Sequence, residues 1–289
     1  AVLVDGFERG SRQGAREALA RFWRAVSDAA RFSPLQRGPL DVLMGRWSLE
    51  GSPAFLAMDL VSRLWSPYDL NPFGVNPLRD ILERSLDFDA LSKSDIKLFI
   101  TATNVRTGRG KVFPNAELSP DVLLASACLP NMFQAVEVDG EYYWDGGYSG
   151  NPTMTPLVRD CNSDDVILVA VNPVERPDRP TGAREILNRI NEISFNAGLL
   201  KELRMIALLR QVADVGNCEG ARWASKRIHL VRNDLATVLD SSSKMSAEWA
   251  FLEMLHKEGR RVAESFLAQD GANLGKRSSI DLNVLLEGV

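Results

Sequence analysis

The stretch Trp144-Asp145-Gly146-Gly147-Tyr148-Ser149-Gly150-Asn151-Pro152 decides how the other residues of this 289-residue chain are read. It follows a short aromatic run, so it reads as a strand end entering a glycine-shaped turn that presents one carboxylate, Asp145. Asp-Gly alone carries little weight. The pair occurs at Asp5, Asp139, Asp145 and Asp270, and ordinary turns explain such pairs. The doubled glycine after Asp145, free to take positive φ and to let backbone approach closely, sets this copy apart, as do the turn formers Asn151-Pro152.

On the N-terminal side of this stretch, residues 97–103 and 110–113 are β-rich and joined through Thr107-Gly108-Arg109-Gly110, the pattern of a hairpin. A helix is expected over 119–128, stopping before Pro130. Residues 136–138 and 141–144 flank Asp139-Gly140 as a second, tight hairpin whose return strand delivers Asp145. On the C-terminal side, 166–171 is a continuous apolar run ended by Asn172-Pro173, as in a central strand covered on both faces. A long helix is expected over 185–215, with Ile186, Ile190, Ile193, Ala197 and Leu200 in phase. A short strand follows at 227–231. A last helix carries Trp249, Leu252, His256, Gly259, Ala263 and Phe266 on one stripe. Strands alternating with helices argue an α/β layered architecture.

Two regions look different. Residues 1–31 show Ala18, Phe22 and Ala25 or Val26 at helical spacing, with Arg9, Arg12 and Arg16 on a shared face that reads as solvated surface beside Glu8 and Glu17. Residues 33–77 carry Pro34, Pro39, Pro53, Pro67, Pro72 and Pro77, so short helices and loops are expected. Within them, 53–65 reads as a helix with proline in its first turn, apolar on most sides through Phe55, Leu56, Met58, Leu60, Val61, Leu64 and Trp65. It fits either a buried helix or part of a lid or interfacial helical insert over 33–77.

Composition narrows the function classes. With 45% apolar and 25% charged residues, the chain is expected to fold as one α/β domain over 1–289. A formal charge of -4 and a pI near 5.4 argue against nucleic acid as a partner. Cys128, Cys161 and Cys218 have no Cys-x-x-Cys spacing, so neither a disulfide framework nor a zinc site is suggested. A reducing, cytoplasmic setting is expected. The least charged stretch, 122–136, is too short for a membrane span, which leaves peripheral membrane contact. Neither metal nor cofactor is expected.

The candidate chemistry centres on Asp145. Only two histidines exist. His229 sits inside a strand, and His256 lies on the apolar stripe of the last helix, where partial burial explains it. A His-Glu-x-x-His metal site is therefore excluded. A dyad needs no histidine: a carboxylate in reach of a serine hydroxyl can take its proton while loop amides stabilise the oxyanion. Cys128 lies among small residues without a basic neighbour and reads as buried packing.

At these residues the chain resembles the patatin-like phospholipases, serine lipid acyl hydrolases with a Ser-Asp dyad whose aspartate lies in an Asp-Gly-Gly or Asp-Gly-Ala motif. Asp145-Gly146-Gly147 matches that motif. The segments Thr101-Ala102-Thr103-Asn104-Val105-Arg106-Thr107-Gly108, Ala125-Ser126-Ala127-Cys128-Leu129-Pro130 with Phe133, and Tyr148-Ser149-Gly150-Asn151-Pro152 are similar to bacterial members. A looser likeness runs from the first helix to Leu274-Gly275-Lys276-Arg277-Ser278-Ser279. The resemblance implies a three-layer α/β/α sandwich with Asp145 as general base, supported by Gly146 and Gly147. It also implies a lipid or acyl-ester substrate.

One departure is severe. Family members carry a glycine-rich oxyanion loop and a Gly-x-Ser-x-Gly elbow ahead of the segment that Ala1-Val2-Leu3-Val4-Asp5-Gly6 resembles, and residues 1–289 contain neither. An elbow serine opens a helix, so the nucleophile is expected about one to two helical turns upstream of Ala1. Ser149 is a poor substitute, four residues from Asp145 on the same loop and with Asn151 where an elbow needs glycine. Three arrangements are open: a truncated chain, a cleaved enzyme whose N-terminal fragment is separate, or a natural remnant. The chain alone is expected to be inactive. The competing reading is a non-catalytic membrane-surface or protein-interaction module using Arg9, Arg12, Arg16 and the 53–65 segment. A thioester or polyester hydrolase is the other alternative within the enzyme class.

Overall fold

The computed structural model describes residues 1–33, 35–49, 51–212, 219–233, 235, 239 and 241–286. Pro34, Cys218 and the 213–215 end expected for the long helix lie outside them. The α/β class expected from the alternation of elements is what the structure shows. The chain forms two compact units, Ala1–Ser149 with Ser241–Glu253, and Gly150–Asp240 with Met254–Val289.

The first unit opens with helix α1 (Val2–Ala29), which is broken at Gly10 and at Ser11, where φ is 53°. The pieces on either side of the break meet at glycines. A Cβ on Gly6 would lie 2.5 Å from that of Ala18, and one on Gly14 would lie 2.3 Å from the Gly6 carbonyl oxygen. Only a missing side chain permits that approach. The break corrects the expected shared face of Arg9, Arg12 and Arg16: Arg9 lies before it and pairs with buried Asp5 at 2.9 Å, while Arg12 and Arg16 lie beyond it. Of the expected stripe, Ala18 is buried and Phe22, Ala25 and Val26 are half-buried.

The proline-rich region folds as short helices: α2 (Pro39–Leu43), α3 (Pro53–Leu64), α4 (Pro67–Leu70) and α5 (Pro77–Ser85). Each opens on a proline. Its missing N–H would have had no intrahelical partner at that position, and its fixed φ suits the first turn. Helix α6 (Phe88–Ser92) follows, capped by Asp87, whose carboxylate accepts from the Ala90 amide.

The first unit's sheet has strands β1 (Phe99–Asn104), β2 (Gly110–Pro114), β3 (Val136–Val138) and β4 (Glu141–Asp145) in the order β2-β1-β4-β3, all antiparallel. Both expected hairpins form. In the tight one, Asp139 and Gly140 have φ of 53° and 78°, the two positive values that a two-residue hairpin turn with matching twist demands. Helix α7 (Pro120–Ser126) is capped by Ser119 and carries apolar groups on two sides. Val122 and Ala125 join Ala102, Phe113 and Tyr143 in one core. Leu124 joins Val4, Leu82, Leu86 and Leu91 in another, with Ala1 and Val2 at its edge.

The second unit contains α8 (Thr155–Asp160), β5 (Asp165–Ala170), α9 (Ala183–Val212), α10 (Glu219–Ser225), β6 (Arg227–Arg232) and most of α11 (Trp249–Asp270). Strands β5 and β6 pair in parallel. Val166 and Leu168 enter a core with Met154, Val158, Leu199, Leu203, Ile206, Trp223 and Ile228. The expectation that β5 is covered on both faces is not met, because Val169 is 71% exposed and Ile167 is half exposed. An unbroken apolar run has no alternation, so it cannot say how many faces are covered.

The two helix stripes also need correcting. Ile186, Ile190 and Ile193 are exposed, and the N-terminal half of α9 instead buries Glu192 and Asn196. Glu192 is gripped by Arg176 and Arg189, and the Asn196 side chain donates to the Pro173 carbonyl at 2.8 Å. On α11, Phe251 and Phe266 are buried while His256, Gly259 and Ala263 are exposed. Paired polar groups can occupy an interior, so apolar periodicity alone placed these faces wrongly.

Phe113 is fully buried and meets Tyr143 edge-on, ring centroids 5.6 Å apart. Phe113→Ala is expected to lower stability by about 3–5 kcal/mol, measured as a shift of the urea midpoint at unchanged slope.

Candidate active site

Asp145 ends β4 opposite Ala102 of β1. Its backbone is held from both sides. Its amide donates to the Cys128 carbonyl at 2.9 Å, and its carbonyl accepts from the Thr103 hydroxyl at 2.7 Å. The chain then makes one 3-10 turn, Gly146–Tyr148, which brings the Gly147 amide to 2.7 Å from Asp145 Oδ1.

Of the two reasons expected for the glycines, close backbone approach holds at Gly146 and positive φ does not. Neither Gly146 nor Gly147 has positive φ. A Cβ on Gly146 would lie 2.1 Å from the Thr101 carbonyl oxygen, so a hydrogen in place of a side chain is what lets the turn press against β1. Gly147 contributes its amide.

Electrostatics separate Asp145 from most other carboxylates that leave water. Asp5 is paired with Arg9, Glu192 with Arg176, Glu248 with Arg37 and Asp165 with Arg227. Among the described residues no cation pairs with Asp145. Burial pushes its carboxyl above the ordinary value, and the Gly147 amide pulls it partly back. A carboxylate with a raised pKa and one amide contact is suited to accept a proton.

The surroundings fit that electrostatic picture. Cys128 is buried, with Sγ donating to the Gln134 carbonyl at 3.1 Å. Burial first and the nearby Asp145 charge second push its thiol up to about 11, so it stays protonated and inert at neutral pH. Burial, followed by the charges of Asp145 and Cys128, also raises the Tyr148 hydroxyl. Ser149 Oγ is 2.9 Å from the Thr103 hydroxyl and donates to the Gly146 carbonyl at 3.2 Å, which commits it to holding the turn. The first turn of α1 packs into the core that contains Leu124 of α7 and Val136 of β3, the elements bordering the Cys128 segment.

The histidines take no part in this geometry. His229 is fully buried, with Nε2 2.9 Å from Asp165 Oδ1. Asp165 is held well below the usual carboxylate range by Arg227, then by His229 and the Gly275 amide. His256 is exposed, so the partial burial expected for it is not observed. Sequence reasoning missed Thr103, which fixes the Asp145 carbonyl. In the second unit, Glu202 of α9 is also raised by burial and accepts from the Met154 amide at 2.9 Å.

A profile of the patatin-like phospholipase family matches residues 10–158. The chain belongs to that family. The match runs from the break in α1 into α8, so it takes in the antiparallel sheet, α7 and the Asp145 turn of this patatin-like chain. Membership points to a lipid acyl hydrolase with a lipid or other ester as substrate. A comparison with curated proteins gave no match. No helix among the described residues is long and apolar enough to cross a membrane.

Gly146→Ala is expected to destabilise the protein by roughly 1–3 kcal/mol, because the new methyl must displace the Thr101 carbonyl or the turn itself. Chemical denaturation against the parent chain measures it.

Proposed function

We propose that this chain carries the proton-accepting half of a serine lipid acyl hydrolase, with Asp145 as general base toward a serine on polypeptide outside residues 1–289. The observation that carries the reading is a half-buried carboxylate with no cationic partner among the described residues, fixed at a strand end by main-chain bonds in a member of this family.

In the proposed reaction, the Asp145 carboxylate takes the serine proton as the hydroxyl oxygen attacks the ester carbonyl. The carbon–oxygen bond to the alcohol then breaks, and the proton passes to the departing alcohol. Water, deprotonated by the same carboxylate, releases the acid and restores the serine. Gly146 and Gly147 support the base, the first by close packing and the second by its amide. Chain 1–289 alone is expected to show no turnover, for want of the nucleophile and its oxyanion donors.

In the serine-containing protein, Asp145→Asn is expected to lower kcat/KM by roughly two to four orders of magnitude, measured with a water-soluble acyl ester. Undiminished turnover would remove the assigned role. The base must be ionised, so parent activity should fall as pH drops through a pKa above the ordinary aspartate value. The stability effect has the opposite sign. A raised carboxyl pKa favours the folded state at low pH, and that contribution is lost as pH rises through it. The carboxamide of Asp145→Asn keeps an acceptor for the Gly147 amide without a buried charge, so the variant should melt at or above the parent midpoint at neutral pH.

A further inference from the structure

We propose that the cleft between the C-terminal end of α9 and residues 277–281 binds the phosphate group of a small water-soluble anion. The cleft is an open cavity of about 620 Å3 within the second unit, a size that holds a phosphate with an organic group attached. It takes in part of the stretch Lys276-Arg277-Ser278-Ser279, to which the hydrolase reading gives no task. That stretch runs along the edge of β6 that β5 leaves open. Ser278 Oγ accepts from the Ile228 amide at 3.0 Å, Ser279 Oγ accepts from the Leu230 amide at 3.3 Å, and the Ser279 amide donates to the Ile228 carbonyl at 3.0 Å. These bonds fix both hydroxyls.

The groups so fixed are left with protons to donate. A hydroxyl has one donor and two acceptor sites. Ser278 Oγ uses both acceptor sites, one for Ile228 and one for Arg210 Nη2 at 3.1 Å, so its remaining capacity is its proton. Neither the Ser278 proton nor the Ser279 proton meets an acceptor among the described residues. Arg210 turns Nε to the Ala224 carbonyl and Nη2 to the Lys226 carbonyl, which leaves Nη1 open. Arg277 gives only Nε, to Asn273 Oδ1 at 2.8 Å.

Charge argues what these donors take. Arg227 lies on the same cleft and is neutralised by Asp165 at 2.9 Å, but among the described residues neither Arg210 nor Arg277 is paired with a carboxylate. Loss of water around its guanidinium lowers the Arg210 pKa, and the Asp281 charge reverses this only in part. Two carboxylates share the lining, each engaged within its own stretch. Asp270 accepts from Asn273 Nδ2 at 3.0 Å, and Asp281 accepts from the Asn283 amide at 2.9 Å. Two guanidinium groups and two hydroxyl protons on one cleft suit the three acceptor oxygens and up to two charges of a phosphate group better than a single carboxylate.

The test is equilibrium dialysis of chain 1–289 against inorganic phosphate and against glucose 6-phosphate, in sodium chloride that holds ionic strength constant. Saturable binding of one phosphate group per chain is expected with at least one probe, and the tighter of the two tells whether the organic group is held. Arg277→Gln, at an exposed position, should weaken binding by about tenfold. Arg210→Gln should weaken it at least as much, with folding checked by circular dichroism because Arg210 also holds the Ala224 and Lys226 carbonyls. Arg260→Gln, on α11 and outside the cleft, should bind as the parent does, which separates a site from diffuse charge. Binding that Arg277→Gln leaves unchanged, binding that acetate displaces as readily as phosphate does, or no binding of either probe overturns the proposal. So does binding of calcium in preference to both probes, which would make Asp270 and Asp281 the working groups of the cleft.

Discussion

The contact between Gly146 and the Thr101 carbonyl is the constraint around which the candidate site is arranged. No side chain fits there, so the backbone after β4 can turn against β1 at van der Waals distance. The Gly147 amide consequently folds back onto the carboxylate it follows. The turn is rigid for three further reasons: Thr103 and Cys128 hold the Asp145 main chain, and Ser149 holds Gly146. A carboxylate mounted this way loses little further freedom when it meets a partner, which is what a positioned base requires.

That rigidity offsets a cost. Taking a carboxylate from water without a cation is unfavourable, and the raised pKa of Asp145 reports it. At Asp5, Glu192, Glu248 and Asp165 the chain avoids the same cost with arginine, whereas Glu202 shares the treatment of Asp145. The physical reason to place chemistry at Asp145 is that treatment joined to its fixed mounting at the end of a strand. The face on α3 shows a related departure: Leu56, Leu60 and Leu64 stay exposed.

Much of this was legible in residue order because the interactions are local. Asp139-Gly140 could form only a tight hairpin with positive φ. Prolines at 39, 53, 67, 77 and 120 could begin helices but not occupy their interiors. The Asp145 motif was visible, and of the two properties expected of its glycines the structure uses close approach at Gly146 but not positive φ. The failures share one cause. The break at Gly10 and Ser11, the outward isoleucines of α9, the exposed face of β5 and the exposure of His256 all depend on what lies opposite a residue in space.

By itself, then, the sequence determined the α/β class, the hairpins, the helix starts and the candidate carboxylate, since each follows from backbone sterics or from spacing within a few residues. Tertiary structure alone decided that Asp145 lacks a cationic partner among the described residues, that Thr103 and Cys128 hold it, and that Ser149 is committed to the turn. It also decided that α3 keeps its leucines in water. Burial, pKa and partnership arise from contacts between residues far apart in the chain, and such contacts leave no local pattern to read.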